Sequence, residues 1–357
     1  MPALRAAEPS RHPAPTVKAV ALTHLVFGRP ALEEAERFLA DFGLFTESRT
    51  AEALYMRAAG SRPYCYRVEA RRDSRFIGFG LAVRTREDLE AVARILGASP
   101  ISPSRHPGGG DVVGLKDPSG FLVEVIHGQA LVDPLPHRPA ISMNTGDLKP
   151  RVNATQRPPA TPPEVLQLGH VVLELADFQA TCGWYTRHFG FIPSDVLVLP
   201  DGSPAGVFLR LDLGQTPADH HTLTLVQGVV PTFNHAAFEV VDADAVGMGH
   251  QVMQEAGWQH AWGIGRHILG SQVFDYWRDP WGCKHEHYSD GDVFTEEAPA
   301  GVHEVSRKGM AQWGPPMPRS FTKPKLTPGL IGAIVANVRR SPDLTIGKVI
   351  ALARMFG

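Results

Sequence analysis

The chain has 357 residues, of which 43% are apolar and 20% charged, and its formal net charge at pH 7 is −2. This composition is typical of a globular protein of roughly two or three domains, and it argues against a strong attraction to nucleic acid or to an anionic membrane. Three widely spaced cysteines, Cys65, Cys182 and Cys283, indicate neither a disulfide framework nor a thiolate zinc site, which fits a cytoplasmic protein. We expect no signal peptide and no membrane-spanning helix, because no apolar run is long enough.

The first part of the chain predicts two successive units, each with a strand, a helix and further strands. Residues 19–27 (AVALTHLVF) predict an apolar strand, and residues 30–43 an amphipathic helix with a proline near its start. Two more strand candidates follow within residues 54–69. The strand at residues 75–83 (RFIGFGLAV) opens the second unit, with Thr85 as the cap of its helix.

After a proline-rich stretch the same pattern returns. Residues 133–163 contain eight prolines, which predicts a linker or an ordered surface crossing. LGHVVLEL then repeats LTHLVF, NHAAFEVVDADAV repeats IGFGLAVRTREDL, and DPWGCKHE repeats DPSGFLVE. The sequence therefore predicts a duplicated α+β protein of four βαβββ modules, the fourth of which ends near Asp292.

The remaining tail predicts a proline-rich arm and two helices, at residues 330–340 and, after the cap SPD, at residues 344–356. We expect this tail to pack on its own or on a neighbouring subunit. A lid over the mouth of a site and contact with a membrane surface are the alternatives. The duplicated sheets and the apolar tail favour a homo-oligomer.

The four modules resemble the vicinal oxygen chelate superfamily, and within it the type I extradiol ring-cleavage dioxygenases, such as the catechol 2,3-dioxygenases and 2,3-dihydroxybiphenyl 1,2-dioxygenases. The resemblance covers roughly residues 19–292. It implies that paired modules form a barrel-like domain around a cavity in each half. The implied division is an N-terminal arm (1–18), a non-catalytic domain (19–130), a linker (131–164), a catalytic domain (165–292) and a C-terminal extension (293–357).

The resemblance also implies a mononuclear non-haem Fe(II) site held by His170, His235 and Glu286. These residues stand in the first strand of the second half, in the strand that opens its second module, and in its last strand. Two histidines and one carboxylate on one side of a metal leave positions open for a substrate and O₂. Mn(II) accepts the same ligands, so the sequence leaves the choice of metal open.

Three further residues match the polar groups of the family's cavity. His221, in the predicted HHTLTL strand, is implied as an acid or base, and His267 and Tyr276 as hydrogen-bonding partners of the substrate. Because side chains alternate along a strand, we expect three histidine neighbours of these site residues to face away from the cavity: His220, His285 and His287.

The first half contains only part of this set. His24 and Glu124 match His170 and Glu286, but Gly78 stands in place of His235 and Gly114 in place of Tyr276. We therefore expect no catalysis in the first half.

The implied function is extradiol cleavage of a substituted catechol by O₂ in the catabolism of aromatic compounds, giving a ring-opened 2-hydroxy-dienoate. Relatives that accept an acidic ring substituent have an arginine where this chain has Trp262, which favours an apolar or bulkier substituent. Arg210, Arg266 or Arg278 could still reach a carboxylate. Two alternatives remain: a metal-dependent glyoxalase or transferase of the same fold, and a non-enzymatic small-molecule binding protein.

Overall fold

The computed structural model describes residues 9–322 and 328–356. The first half of the chain forms an eight-stranded sheet. Its strands are β1 (Ala19–Arg29), β2 (Phe45–Arg49), β3 (Ala53–Arg57), β4 (Tyr66–Ala70), β5 (Arg75–Val83), β6 (Ser102–Pro103), β7 (Asp111–Lys116) and β8 (Leu122–His127). They lie in the order β2-β3-β4-β1-β5-β8-β7-β6.

The second half forms a nine-stranded sheet with the same plan. Its strands are β9 (Val165–Leu175), β10 (Ile192–Val198), β11 (Pro204–Arg210), β13 (Leu223–Gln227), β14 (Thr232–Val240), β15 (Gln259–Arg266), β16 (Val273–Arg278), β17 (Lys284–Ser289) and β19 (Gly301–Glu304). Their order is β15-β16-β17-β14-β9-β13-β11-β10-β19. Two short strands, β12 (Ala218–Asp219) and β18 (Val293–Phe294), pair separately.

Each predicted module contains one α-helix, and further helices follow in the tail. They are α1 (Leu32–Asp41), α2 (Arg86–Ala93), α3 (Phe178–Phe189), α4 (Ala243–Glu255), a 3₁₀ turn (Lys308–Met310), α5 (Arg319–Thr322), α6 (Pro328–Arg340) and α7 (Ile346–Phe356). The predicted cap Thr85 accepts a hydrogen bond from the backbone N–H of Asp88 and so begins α2. Gly190, at φ +69°, ends α3 in the left-handed conformation that glycine adopts without strain.

The strand registers confirm the predicted duplication. In the first sheet, Gly80 of β5 lies opposite His24 of β1 and Glu124 of β8. In the second, Ala237 of β14 lies opposite His170 of β9 and Glu286 of β17. Equivalent strands therefore place a histidine and a glutamate on equivalent positions of both sheets, and the α+β fold of four βαβββ modules is confirmed.

The two halves share one hydrophobic core. Tyr66 and Phe42 of the first half contact two of the three histidines expected to face away from the cavity. The hydroxyl of Tyr66 lies 3.0 Å from Nε2 of His285, and Nε2 of His287 lies 2.7 Å from the carbonyl oxygen of Phe42. Both histidines are fully buried between the halves, and neither lines the cavity of the second half.

Two parts of the chain lie outside the four modules: the segment that connects the halves, and the tail. Residues 131–164 run without helix or strand. The tail packs on its own subunit, one of the two predicted arrangements: β19, within the predicted extension, pairs with β10 as the edge strand of the second sheet. The cap of α7 differs from the prediction: Thr345 accepts the hydrogen bond from the N–H of Lys348, in place of the SPD segment. Within the described residues, no helix combines the length and apolarity that crossing a membrane requires.

Candidate active site

The three predicted metal ligands meet on neighbouring strands of the second sheet. Nε2 of His170 lies 3.4 Å, and Nε2 of His235 3.3 Å, from the same carboxylate oxygen of Glu286. One ligand atom from each residue lies within 4.8 Å of the other two. Adjacent ligands bound to one metal at about 2.1 Å and at right angles lie about 3 Å apart, so this spacing fits a divalent metal ion.

The carboxylate of Glu286 lacks the partners that a buried charge requires. Glu286 is fully buried, and neither of its oxygens accepts a hydrogen bond. An unpaired buried anion is costly. The donor set therefore fits a bound cation.

A second histidine–aspartate group provides a contrast. His250, His260 and Asp275 lie close enough to share an ion, but here the carboxylate already has partners. Its oxygens lie 3.0 Å from Nδ1 of His250 and 2.8 Å from Nε2 of His260, and the indole N–H of Trp277 donates a third hydrogen bond. Of the two groups, only the one around Glu286 has an unsatisfied carboxylate.

A short chain of polar groups orients His235. Its Nδ1 lies 2.8 Å from Oδ1 of Asn234, and the amide nitrogen of Asn234 donates to Glu174 at 2.5 Å. Since the amide oxygen can only accept, Nδ1 of His235 carries the proton and Nε2 is free to bind a metal. This orienting pair was missed in the sequence, although Asn234 directly precedes the predicted ligand.

Tyr276 and His267 form the wall beside the three ligands. The hydroxyl of Tyr276 lies 3.0 Å from Nε2 of His267, whose Nδ1 lies 2.8 Å from the carbonyl oxygen of Met310 in the tail. Burial raises the pKa of Tyr276 well above its ordinary value, so its phenol remains protonated. Trp262 stacks on Tyr276 at 5.6 Å, and Phe321 of α5 packs edge-on against it at 5.0 Å.

His221 also reaches the site, but not from a strand. The strand β13 begins two residues later, so alternation does not govern this segment. The ring of His221 packs 4.0 Å from that of His170. His220 does not line the cavity, as expected, but it supports the site from behind, because its Nδ1 lies 2.9 Å from Nδ1 of His221. The carboxylate of Asp195 lies 2.7 Å from Nε2 of His220 and 2.8 Å from Nε2 of His303 of β19.

Two of the predicted ligands, His170 and His235, line a cavity of about 910 Å³ together with His221, His267 and Tyr276. The tail segment from Ala300 to Thr322 closes this cavity on one side. Part of the tail therefore forms a wall of the site, as the lid alternative suggested. None of the described residues that line the cavity is Lys or Arg. Arg210, Arg266 and Arg278 lie outside it and donate to backbone carbonyl groups.

Comparison with known proteins identifies the class of protein. Residues 167–286 match the model of the Glyoxalase/Bleomycin resistance protein/Dioxygenase superfamily. Metapyrocatechase 2 of Cupriavidus necator is 31% identical over 325 residues, which cover 89% of this chain and 96% of the relative. An iron-dependent extradiol dioxygenase of Rhodococcus jostii is 28% identical over 53% of this chain and 59% of its own length. The chain thus belongs to the extradiol dioxygenases of this superfamily.

Solved structures agree with this fold. Homoprotocatechuate 2,3-dioxygenase from Arthrobacter globiformis superposes with a TM-score of 0.72 at 19% identity, covering 90% of this chain and 96% of that one. An Mn(II)-bound glyoxalase from Novosphingobium aromaticivorans gives the same TM-score at 23% identity, covering 87% and 97%. At such low identity these neighbours establish the fold alone.

Proposed function

We propose that this enzyme opens the ring of a catechol with an apolar substituent, using one Fe(II) ion held by His170, His235 and Glu286. The observation that carries the proposal is the unpaired, fully buried carboxylate of Glu286, with two imidazole nitrogens 3.3 and 3.4 Å away. A 2-His-1-carboxylate set with open positions is typical of non-haem Fe(II) oxygenases, although Mn(II) also accepts it. The iron-dependent relative from Rhodococcus jostii supports iron.

The bound metal would supply coordination of both diol oxygens and activation of O₂. The protein would supply the proton transfers and the fixed geometry. Burial, with the imidazoles of His170 and His220 nearby, lowers the pKa of His221 well below its ordinary value, so its ring is neutral and can accept a proton from the diol. Tyr276 and His267 would hold the substrate oxygens by hydrogen bonds.

The cavity supports an apolar ring substituent. Its volume of about 910 Å³ lies at the upper end of the range for small-molecule sites, which leaves room beyond a single ring. Trp262, Phe321 and Met317 provide an apolar surface beside Tyr276. The lining carries Glu174 and Glu304 but no described Lys or Arg, so a substrate carboxylate would find no cationic partner among the described lining residues.

The test is anaerobic loading of the protein with Fe(II) or with Mn(II), removal of excess metal, and exposure to air with matched catechols. We expect a yellow ring-opened product from an alkyl- or aryl-substituted catechol with Fe(II), and kcat/KM at least about 10-fold lower for a carboxylate-bearing catechol of similar size. If no catechol is cleaved, the proposed ring cleavage is wrong. Turnover of a glutathione hemithioacetal instead of catechols would point to glyoxalase chemistry.

Self-association and a cytoplasmic location stay predictions. Four apolar side chains on the surfaces of α6 and α7 favour a homo-oligomer: Ile331, Val335, Ile346 and Ile350. Light scattering coupled to size-exclusion chromatography measures the number of chains directly.

A further inference from the structure

A row of hydrogen-bonded side chains lies behind His221, outside the group of metal ligands. It runs from Nδ1 of His221 to Nδ1 of His220, at 2.9 Å, and from Nε2 of His220 to Asp195, at 2.7 Å. His220 and His221 are both buried. His221 lines the cavity, whereas His220 and Asp195 do not.

With the ring of His220 neutral, chemistry fixes the direction of these hydrogen bonds. An ionised carboxylate can only accept, so Nε2 of His220 must donate its proton to Asp195. In the neutral ring, Nδ1 of His220 is then a lone pair, and it can be satisfied only if Nδ1 of His221 donates to it. The opposite tautomer of His221 would place two lone pairs 2.9 Å apart in a buried site.

The consequence for His221 lies at its other nitrogen. With its proton on Nδ1, the ring has an unprotonated Nε2. Because Nδ1 of His221 points to His220, Nε2 is the ring nitrogen that is available to the cavity. This is the form of the ring that can take a proton from a substrate.

The tail holds the far end of the row in place. Asp195 of β10 lies opposite Gly301 of β19, and its second oxygen lies 2.8 Å from Nε2 of His303. A Cβ atom at Gly301 would lie 2.1 Å from that oxygen and 2.6 Å from the nitrogen of His303, so only glycine leaves room for this contact. The His303 side chain is 45% exposed and reaches the rim of the cavity.

We propose that Asp195 and His220 are positioning residues that fix His221 as its Nδ1–H tautomer, with Nε2 free to accept the proton of the substrate. This inference rests on the proposed role of His221 in ring cleavage. Proton transfer to Nε2 makes His221 an imidazolium ion, whose Nδ1–H then faces a row that ends in a carboxylate. The arrangement lowers the cost of that charge without contact between Asp195 and the substrate.

Two substitutions of His220 separate tautomer control from packing. His220→Gln keeps a carbonyl oxygen that can accept from His221 and an amide group that can donate to Asp195. His220→Leu fills the space but offers neither. We expect His220→Leu to lower kcat by about 100-fold with less than about 3-fold change in KM, and His220→Gln to restore most of kcat.

A second readout does not depend on activity. In ¹⁵N-histidine-labelled, metal-free protein, we expect Nδ1 of His221 to have the shift of a protonated nitrogen and Nε2 that of an unprotonated one, assigned by comparison with His221→Phe. His220→Leu should lose this pattern, and His220→Gln should keep it. If the wild-type protein cleaves no catechol, the proposed function fails while the NMR result still decides the tautomer.

Asp195→Asn provides an isosteric variant in case His220→Leu does not fold. The amide can donate to His220 and so reverse the row, which would place the proton of His221 on Nε2. We expect kcat to fall at least about 10-fold, with the NMR pattern reversed or mixed. Wild-type kcat in both Asp195→Asn and His220→Leu, or a wild-type His221 with its proton on Nε2, would overturn the proposal.

Discussion

In the first half of the molecule Glu124 has three donors, whereas in the second half the equivalent Glu286 has none. The guanidinium of Arg67 approaches the two oxygens of Glu124 at 2.8 and 3.0 Å, and Nε2 of His24 lies at 2.8 Å. In the second sheet, Thr224 occupies the strand position that Arg67 has in the first, and its shorter side chain cannot extend to Glu286 as Arg67 extends to Glu124. In the first half, the guanidinium of Arg67 thus neutralises Glu124. In the second half, no described side-chain cation fills the equivalent space beside Glu286.

The glycines of the first half complete this difference. A Cβ atom at Gly78 would lie 1.9 Å from the carbonyl oxygen of Leu122, so no side chain fits where the second half has His235. Gly114 pairs with Glu124 as Tyr276 pairs with Glu286. We infer that the first half stabilises the fold through this ion pair, and that the second half leaves the equivalent space to the proposed metal and to the cavity.

The largest effect is expected from Glu286→Gln. A neutral amide removes the single protein charge from the ligand set, so iron affinity should fall by at least about 100-fold and ring cleavage should become undetectable. Iron per chain, measured after anaerobic loading and desalting, checks this. The matched control is Glu124→Gln in the first half, which should bind iron like the wild type; equal iron loss in both variants would contradict the distinction between the halves.

The next effect is on stability. Arg67→Met leaves the largely buried carboxylate of Glu124 without its main partner, and we expect the free energy of unfolding of the metal-free protein to fall by about 3–5 kcal/mol. Urea titration measures this. Arg71→Met is the control, because Arg71 and Glu69 form an exposed pair whose loss should cost less than about 1 kcal/mol. Similar losses in the two variants would show that Arg67 has no special role.

A smaller effect is expected from pH. Burial alone would raise the pKa of Glu124, but His24 and Arg67 hold it well below the ordinary 4.5. A carboxyl group with a lowered folded-state pKa stabilises the protein above its unfolded-state pKa and loses that contribution as pH falls. The stability difference between the wild type and Glu124→Gln should therefore be constant above pH 4.5 and narrow below it, by at most about 1.4 kcal/mol per pH unit. A difference that widens on acidification would contradict this assignment.

The fold and the three proposed ligands could be predicted because both depend on regular strands. The pattern around His170 repeats that around His24, and regular registers then bring His235 and Glu286 beside it. The residues that were missed lie where this regularity ends. His220 lies in an irregular turn, to which strand alternation does not apply, and the pairing of β19 with β10 joins segments too distant for a local pattern to show.

Arg67 was missed for a different reason. A charged residue in a short strand usually faces solvent, and only the register with β1 shows that this side chain enters the sheet interior beside Glu124. The contribution of Met310 to the site is equally invisible in the sequence, since a backbone carbonyl binds His267 whatever the side chain.

The claim that only the second half holds the metal is tested most directly by anomalous diffraction at the iron edge, on crystals of anaerobically loaded protein. We predict one anomalous peak per chain, about 2.1 Å from Nε2 of His170, Nε2 of His235 and a carboxylate oxygen of Glu286. We predict no peak beside Glu124. Iron bound at Glu124, or iron bound at Asp275 with none at Glu286, would contradict the account.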